Sequence, residues 1–200
     1  MSRQFDLFAA PRAAFDPTFR GLARHELAHD AWVDHVPGWV SGHDALFDQL
    51  ERELAWRREQ MTMYDKTVDV PRLLASVPPT VAIIDEMRLA LGARYGEPFV
   101  RVTAALYRDG RDSVAYHGDT TARDMERALV ATVSLGQPRR FLMKPTAGGA
   151  SIAFPAGRGD LLVMGGTAQR TWRHAIPKVA QAGPRIAVMF RPAWSASYAL

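Results

Sequence analysis

The run Phe99-Val100-Arg101-Val102-Thr103-Ala104-Ala105-Leu106-Tyr107-Arg108-Asp109-Gly110 decides the fold, because here the chain stops reading as helix and starts reading as sheet. A segment rich in β-branched and aromatic residues is closed by Asp-Gly, a turn pair. The same texture recurs over 114–119, 129–135, 140–144, 151–154, 160–164, 170–176 and 185–191. About eight short strands at such intervals predict a mainly β protein with a double-stranded β-helix (jelly-roll) core. Flanking helices are predicted upstream. Ser41 and Asp44 resemble a capping box, and Leu46, Phe47, Leu50 and Leu54 share a helical face, giving a helix over 42–57. Pro78, Pro79 and Thr80 open a second, in which Val81, Ile84, Met87, Leu91 and Tyr95 recur until Gly96 ends it. The expected division is an N-terminal extension, 1–98, and a core, 99–195.

The composition narrows the chemistry. The chain has 200 residues, 48% of them hydrophobic and 23% charged, in the range of one globular domain. Cysteine is absent, which excludes disulfides, thiolate zinc sites and a thiol nucleophile, so any metal must sit on His and carboxylate. The formal charge is +4 and lysine occurs only at 66, 144 and 178, leaving an arginine-rich surface compatible with polyanions. No run approaches the roughly 20 apolar residues of a membrane span, and residues 1–15 lack a continuous apolar stretch, so a cytoplasmic location without membrane contact is expected. No Walker loop, dinucleotide fingerprint or Gly-x-Ser-x-Gly elbow occurs, and Arg158-Gly159-Asp160 reads as a turn entering a strand.

The histidines form two competing groups. His25, Glu26 and His29 spell H-E-x-x-H, a zinc-protease pattern if the segment is helical, with His35 as a possible third ligand. Trp32 stands where the extended pattern needs a turning glycine, and residues 31–36 alternate like a strand. In the second group His117 and Asp119 are two apart at the end of a predicted strand, hence on one side, and His174 lies on a later one. Two imidazoles and a carboxylate on neighbouring strands make the facial triad of non-haem iron oxygenases, although the same residues also suit a satisfied structural histidine. Arg185 and Arg191 are six apart on one predicted strand, so both guanidiniums face the same side. Two unpaired charges inside a barrel call for an anion, and a dicarboxylate such as 2-oxoglutarate fits.

Tyr107-Arg108-Asp109-Gly110, His117-x-Asp119, Val133-Ser134-Leu135-Gly136, Gly159-Asp160-Leu161-Leu162, His174 and Arg185 through Phe190-Arg191 together resemble the AlkB family of Fe(II)- and 2-oxoglutarate-dependent nucleic-acid dealkylases. The resemblance covers 32–192. It implies that His117, Asp119 and His174 hold Fe(2+), that Tyr107 and Arg185 hold the distal carboxylate of 2-oxoglutarate, and that Arg191 stands near its chelating end. It also implies a recognition lid around Trp56-Arg57, Met63-Tyr64 and Val70-Pro71-Arg72-Leu73, where Trp56, Arg57 and Tyr64 would contact substrate. Asparagines common in the family are Ala105 and Ala187 here, and an acid two residues after the metal carboxylate is Thr121.

The function this implies is oxidative dealkylation of N-alkylated bases in DNA or RNA, a DNA-repair activity consuming O2, on single strands or flipped bases. No obligate protein partner is expected. The alternatives are a same-fold oxygenase acting on a substrate other than nucleic acid, the zinc protease, and a noncatalytic nucleic-acid-binding module.

Overall fold

The alternation of β14 (Arg185–Arg191) organises the molecule. Ile186, Val188 and Phe190 bury one face of the strand, and Arg185, Ala187, Met189 and Arg191 occupy the other. The apolar face meets helices, whereas the arginine-bearing face lines the inside of a barrel. In the computed structural model, which describes residues 12–63, 66–119 and 125–193, the chain begins with β1 (Ala14–Phe15), β2 (Ala23–Leu27), β3 (Ala31–Val36) and β4 (Val40–Ser41). Helix α1 (His43–Glu53), strands β5 (Arg57–Met63) and β6 (Lys66–Ser76) and helix α2 (Ala82–Tyr95) follow. The remainder is β7 (Arg101–Tyr107), β8 (Val114–His117), β9 (Val130–Gly136), β10 (Arg139–Pro145), β11 (Ile152–Ala156), β12 (Asp160–Gly166), a single helical turn α3 (Ala168–Thr171), β13 (Trp172–Ile176) and β14.

Eight strands form the major sheet in the order β2-β3-β12-β9-β14-β7-β6-β5, and four form the minor sheet, β11-β10-β13-β8. All the pairings are antiparallel. One core lies between the major sheet and the helices, where Leu46, Leu50, Ile84, Met87 and Leu91 cover Leu135, Ile186, Val188 and Phe190. The other lies between the two sheets, around Tyr107, Phe141, Met143, Phe154, Leu162 and Trp172. With both faces covered, β9 and β12 are buried along nearly their whole length and are mainly apolar. The jelly-roll expectation holds. No helix among the described residues is long and apolar enough to cross a membrane.

Three local expectations are corrected. Helix α1 stops at Glu53, short of 57: Leu54 turns extended to bury its side chain, and the Trp56 indole donates to the Glu51 carbonyl at 3.1 Å, covering an open helix end. Its N-cap is Gly42 in the left-handed region at φ 60°, while Ser41 belongs to β4. The segment carrying His25 and His29 is no helix: β2 is an edge strand and His29 sits in the turn after it. Strands also precede the core, since β2, β3, β5 and β6 join the same sheet as β7, β9, β12 and β14. β2 is exposed nearly throughout, so it lacks the apolar alternation that marks a half-buried strand.

Candidate active site

β8 and β13 are neighbours in the minor sheet with His117 directly opposite His174, so the two imidazoles project side by side into the barrel. Their ring centroids are 4.3 Å apart, and Phe141 stacks on His174 at 5.4 Å. The expectation that strand pleating aims Asp119 is corrected, because β8 ends at His117. Asp119 is aimed by contacts instead. Its backbone N–H donates to the Gln169 side-chain oxygen at 2.9 Å, and its Oδ2 accepts from Arg191 Nε at 3.0 Å. Between them Gly118 passes so close to α3 that a Cβ there would stand 2.9 Å from the Gln169 carbonyl oxygen.

The site's electrostatics suit metal ligation. Burial, joined by the cations Arg191 and Arg72 and by His117, pushes His174 down to about 3 against the opposing pull of Asp119. Burial also lowers His117, although the Ala115 carbonyl and Asp119 oppose it. Both rings are therefore neutral at pH 7. His117 Nδ1 lies 2.9 Å from the Ala115 carbonyl, so it is the protonated nitrogen and Nε2 keeps its lone pair. Burial would raise Asp119, but Arg191 and the imidazoles outweigh it and hold the carboxyl below its ordinary range. As the side chains stand, no group of three His, Asp or Glu among the described residues encloses a metal. The donor set, two neutral imidazoles and an ionised carboxylate, nevertheless fits Fe(2+).

At the other end, on the major sheet, Arg185 stands opposite Tyr107 in register, with its guanidinium carbon 5.1 Å from the phenol centroid. It is 1% exposed. Nη2 donates to Ser134 Oγ at 2.7 Å and Nε to the Ala156 carbonyl at 3.3 Å, while Nη1 has no hydrogen-bond partner among the described residues. Burial drives this guanidinium below its ordinary range, with the Tyr107 oxygen opposing and Arg139 reinforcing the shift. A buried cation with an orphaned donor fits an anionic carboxylate.

Between the two ends lies a cavity of about 410 Å³, floored by Ala187, Thr103 and Met189 and rimmed by Arg57, Arg72 and Arg101. Arg191 is not the unpaired cation expected from spacing, since Asp119 and Thr103 take its donors. Trp56 packs against the helix-side core, away from the cavity, whereas Arg57 lines the cavity. Tyr64 and Thr121 lie outside the described residues. The H-E-x-x-H reading fails on geometry: His25 packs edge-on against Phe154 and His35 faces Asp160 at 3.8 Å. Ser134 and Gln169 join the site without a role assigned from the sequence, where Ser134 is read only as part of the run 133–136. The buried hydroxyls Thr132 and Ser134, two apart in an otherwise apolar strand, are a usable signal for Ser134, whereas nothing local marks Gln169.

A double-sheet barrel with two imidazoles and a carboxylate facing a buried arginine defines the class of iron oxygenases that use a 2-oxo acid. The chain belongs to the 2OG-Fe(II) oxygenase superfamily, whose family model matches residues 33–191. The family implies Fe(2+), 2-oxoglutarate and O2. Within it the similarity is to AlkB-type proteins. The chain is 28% identical over 182 residues to alpha-ketoglutarate-dependent dioxygenase alkB homolog 3 of Bos taurus, covering 78% of this chain and 64% of that one. It is 24% identical over 176 residues to the DNA oxidative demethylase ALKBH2 of Homo sapiens, covering 74% and 67%. It thus spans about two thirds of the length of these relatives. A prolyl hydroxylase structure from Trichoplax adhaerens shares the fold at a TM-score of 0.61 and 10% identity, covering 80% of this chain and 83% of that one.

Proposed function

We propose that this protein is an Fe(II)- and 2-oxoglutarate-dependent oxygenase that dealkylates N-alkylated bases of DNA or RNA, presented flipped out or in a single strand. The observation that carries the reading is the orphaned Nη1 of buried Arg185, facing a cavity whose other end holds His117, Asp119 and His174. When bound, iron and cosubstrate supply the oxidation: O2 and 2-oxoglutarate become succinate and CO2 as one oxygen atom enters the alkyl C–H bond, and the hydroxylated group leaves as an aldehyde.

The protein's share is placement. Neutral His117 and His174 offer ring nitrogens without first losing a proton, and Asp119 brings the negative charge. Arg185, steadied by Ser134 and flanked by Tyr107, binds the remote carboxylate as a charged donor. Arg191 keeps Asp119 ionised and turned toward the cavity. Arg57, Arg72 and Arg101 put positive charge at the mouth, where a base enters with its phosphates outside. A nucleic-acid substrate is further supported by the relative named a DNA oxidative demethylase.

The test is an oligonucleotide carrying N-methylated adenine or cytosine, incubated with and without Fe(II) and 2-oxoglutarate and read by product mass. Loss of one methyl group only with both present is the expected result. Succinate release with every alkylated oligonucleotide left intact would move the reading to a substrate outside nucleic acid, and full activity in Asp119→Ala would overturn the ligand assignment.

A further inference from the structure

The minor sheet has an outer face as well as an inner one. His117, Phe141, Met143, Phe154 and His174 point into the barrel, so the residues between them in sequence point outward. The outward set includes Tyr116 on β8, Arg173 on β13, and Arg140 and Lys144 on β10. Lys144 and Arg173 are direct partners across the β10–β13 ladder. Like charges placed opposite each other destabilise a sheet unless something of opposite sign lies over them. Nothing in the sheet supplies it: none of its four strands contains Asp or Glu, and among the described residues no carboxylate pairs with Arg140, Lys144 or Arg173. By contrast, Arg24, Arg88, Arg108 and Arg111 each meet an aspartate.

Tyr116 stands beside this pair, 38% exposed. Its hydroxyl bonds Ser151 Oγ at 2.7 Å. Ser151 lies in the connection between β10 and β11, so the hydrogen bond ties the phenol on β8 to that connection. A partly exposed ring held at its hydroxyl offers an aromatic surface to solvent, at little further cost in side-chain entropy on binding. A fixed aromatic platform flanked by cations without acids suits a single-stranded nucleic acid: bases stack on the ring and phosphates meet the cations.

We propose that this outer face is a second docking strip for single-stranded nucleic acid, with a base on Tyr116 and backbone phosphates on Lys144, Arg173 and Arg140. The choice of nucleic acid as the polyanion rests on the function proposed above. The strip lies one sheet thickness behind His117 and His174, so it holds the strand away from the base being processed and adds affinity that a short substrate cannot use.

The experiment uses the full, metal-free chain and a fluorescent, unmodified oligothymidylate, followed by anisotropy over a salt series. Lys144→Glu with Arg173→Glu is expected to raise Kd about tenfold or more at low salt and to reduce the log Kd against log salt slope by about two. Tyr116→Ala is expected to raise Kd about tenfold at nearly unchanged slope. Unchanged thermal unfolding of each variant excludes misfolding, and the milder Lys144→Ala with Arg173→Ala replaces any variant that fails this control. Unchanged Kd and slope in the charge variants would overturn the proposal. So would a loss confined to anionic phospholipid vesicles tested in parallel. Because the probe is unalkylated and iron is absent, the result stands apart from the dealkylation assay: strand binding sensitive to these variants without methyl removal would refute the activity and keep the strip.

Discussion

Arg191 holds Asp119 through an Nε–Oδ2 contact of 3.0 Å, and another donor of the same guanidinium grips Thr103 at 2.9 Å. The carboxylate beside the two imidazoles is thus pinned to the major sheet although its own backbone follows β8 of the minor one. The strand that carries the buried Arg185 therefore also orients Asp119.

Removing that link should loosen the metal site. Arg191→Leu is expected to weaken Mn(II) or Fe(II) binding by about 10- to 100-fold, the usual cost of losing a group that orients a ligand, with partial recovery in Arg191→Lys. Calorimetric titration measures it, and an affinity equal to the parent's would show that Asp119 needs no such support.

Arg185→Met removes a buried cation that has an unfilled donor. Its apparent 2-oxoglutarate requirement should rise about 100-fold, as for loss of a charge-assisted contact, while the requirement for nucleic acid changes little. Thermal stability should hold or increase, because the uncompensated charge disappears from the core. Steady-state kinetics in each substrate separates the two requirements, and equal changes in both would contradict an anchoring role.

His174 titrates at about 3 in the fold against 6.5 ordinarily. Between those values the unfolded chain binds a proton that the folded chain does not, so acidification favours unfolding. His117 is shifted in the same direction. The metal-free protein should therefore lose stability as pH falls below about 6.5, levelling off near 3 where His174 alone is concerned, and His174→Asn should flatten that limb. Urea midpoints in the presence of chelator give the comparison; parallel curves for parent and variant would refute it.

Gly118→Ala places a Cβ 2.9 Å from the backbone oxygen of Gln169. Because the obstacle is backbone, α3 or the 117–119 segment must shift, at an expected cost of about 1–3 kcal/mol. Metal affinity should fall along with stability, since Gln169 also receives the Asp119 N–H. Differential scanning calorimetry and metal titration test both; an unperturbed melting temperature would mean the segment yields freely.

Much of the barrel is legible because buried strands write their environment into their residues. The β14 alternation alone separates Ile186, Val188 and Phe190 from Arg185 and Arg191, and the pairing of Arg185 with Tyr107 follows the expected face. The edge elements are less legible. β2 buries almost nothing, so H-E-x-x-H looks like a helix motif when it is an exposed strand and turn. Trp56 reads as a base contact because an aromatic near arginines suits that role equally well, and only packing against the helix-side core distinguishes the two.

What the amino-acid order determined alone is which side chains within each buried strand face the barrel, because side-chain direction in a strand follows from the two-residue repeat. Register and charge pairing came only with the tertiary structure. Whether His117 meets His174, whether Arg191 finds Asp119, and whether Lys144 is left facing Arg173 depend on which strands become neighbours. That choice is made by the burial of whole sheets, a sum over many residues far apart in the chain, and no local motif encodes it.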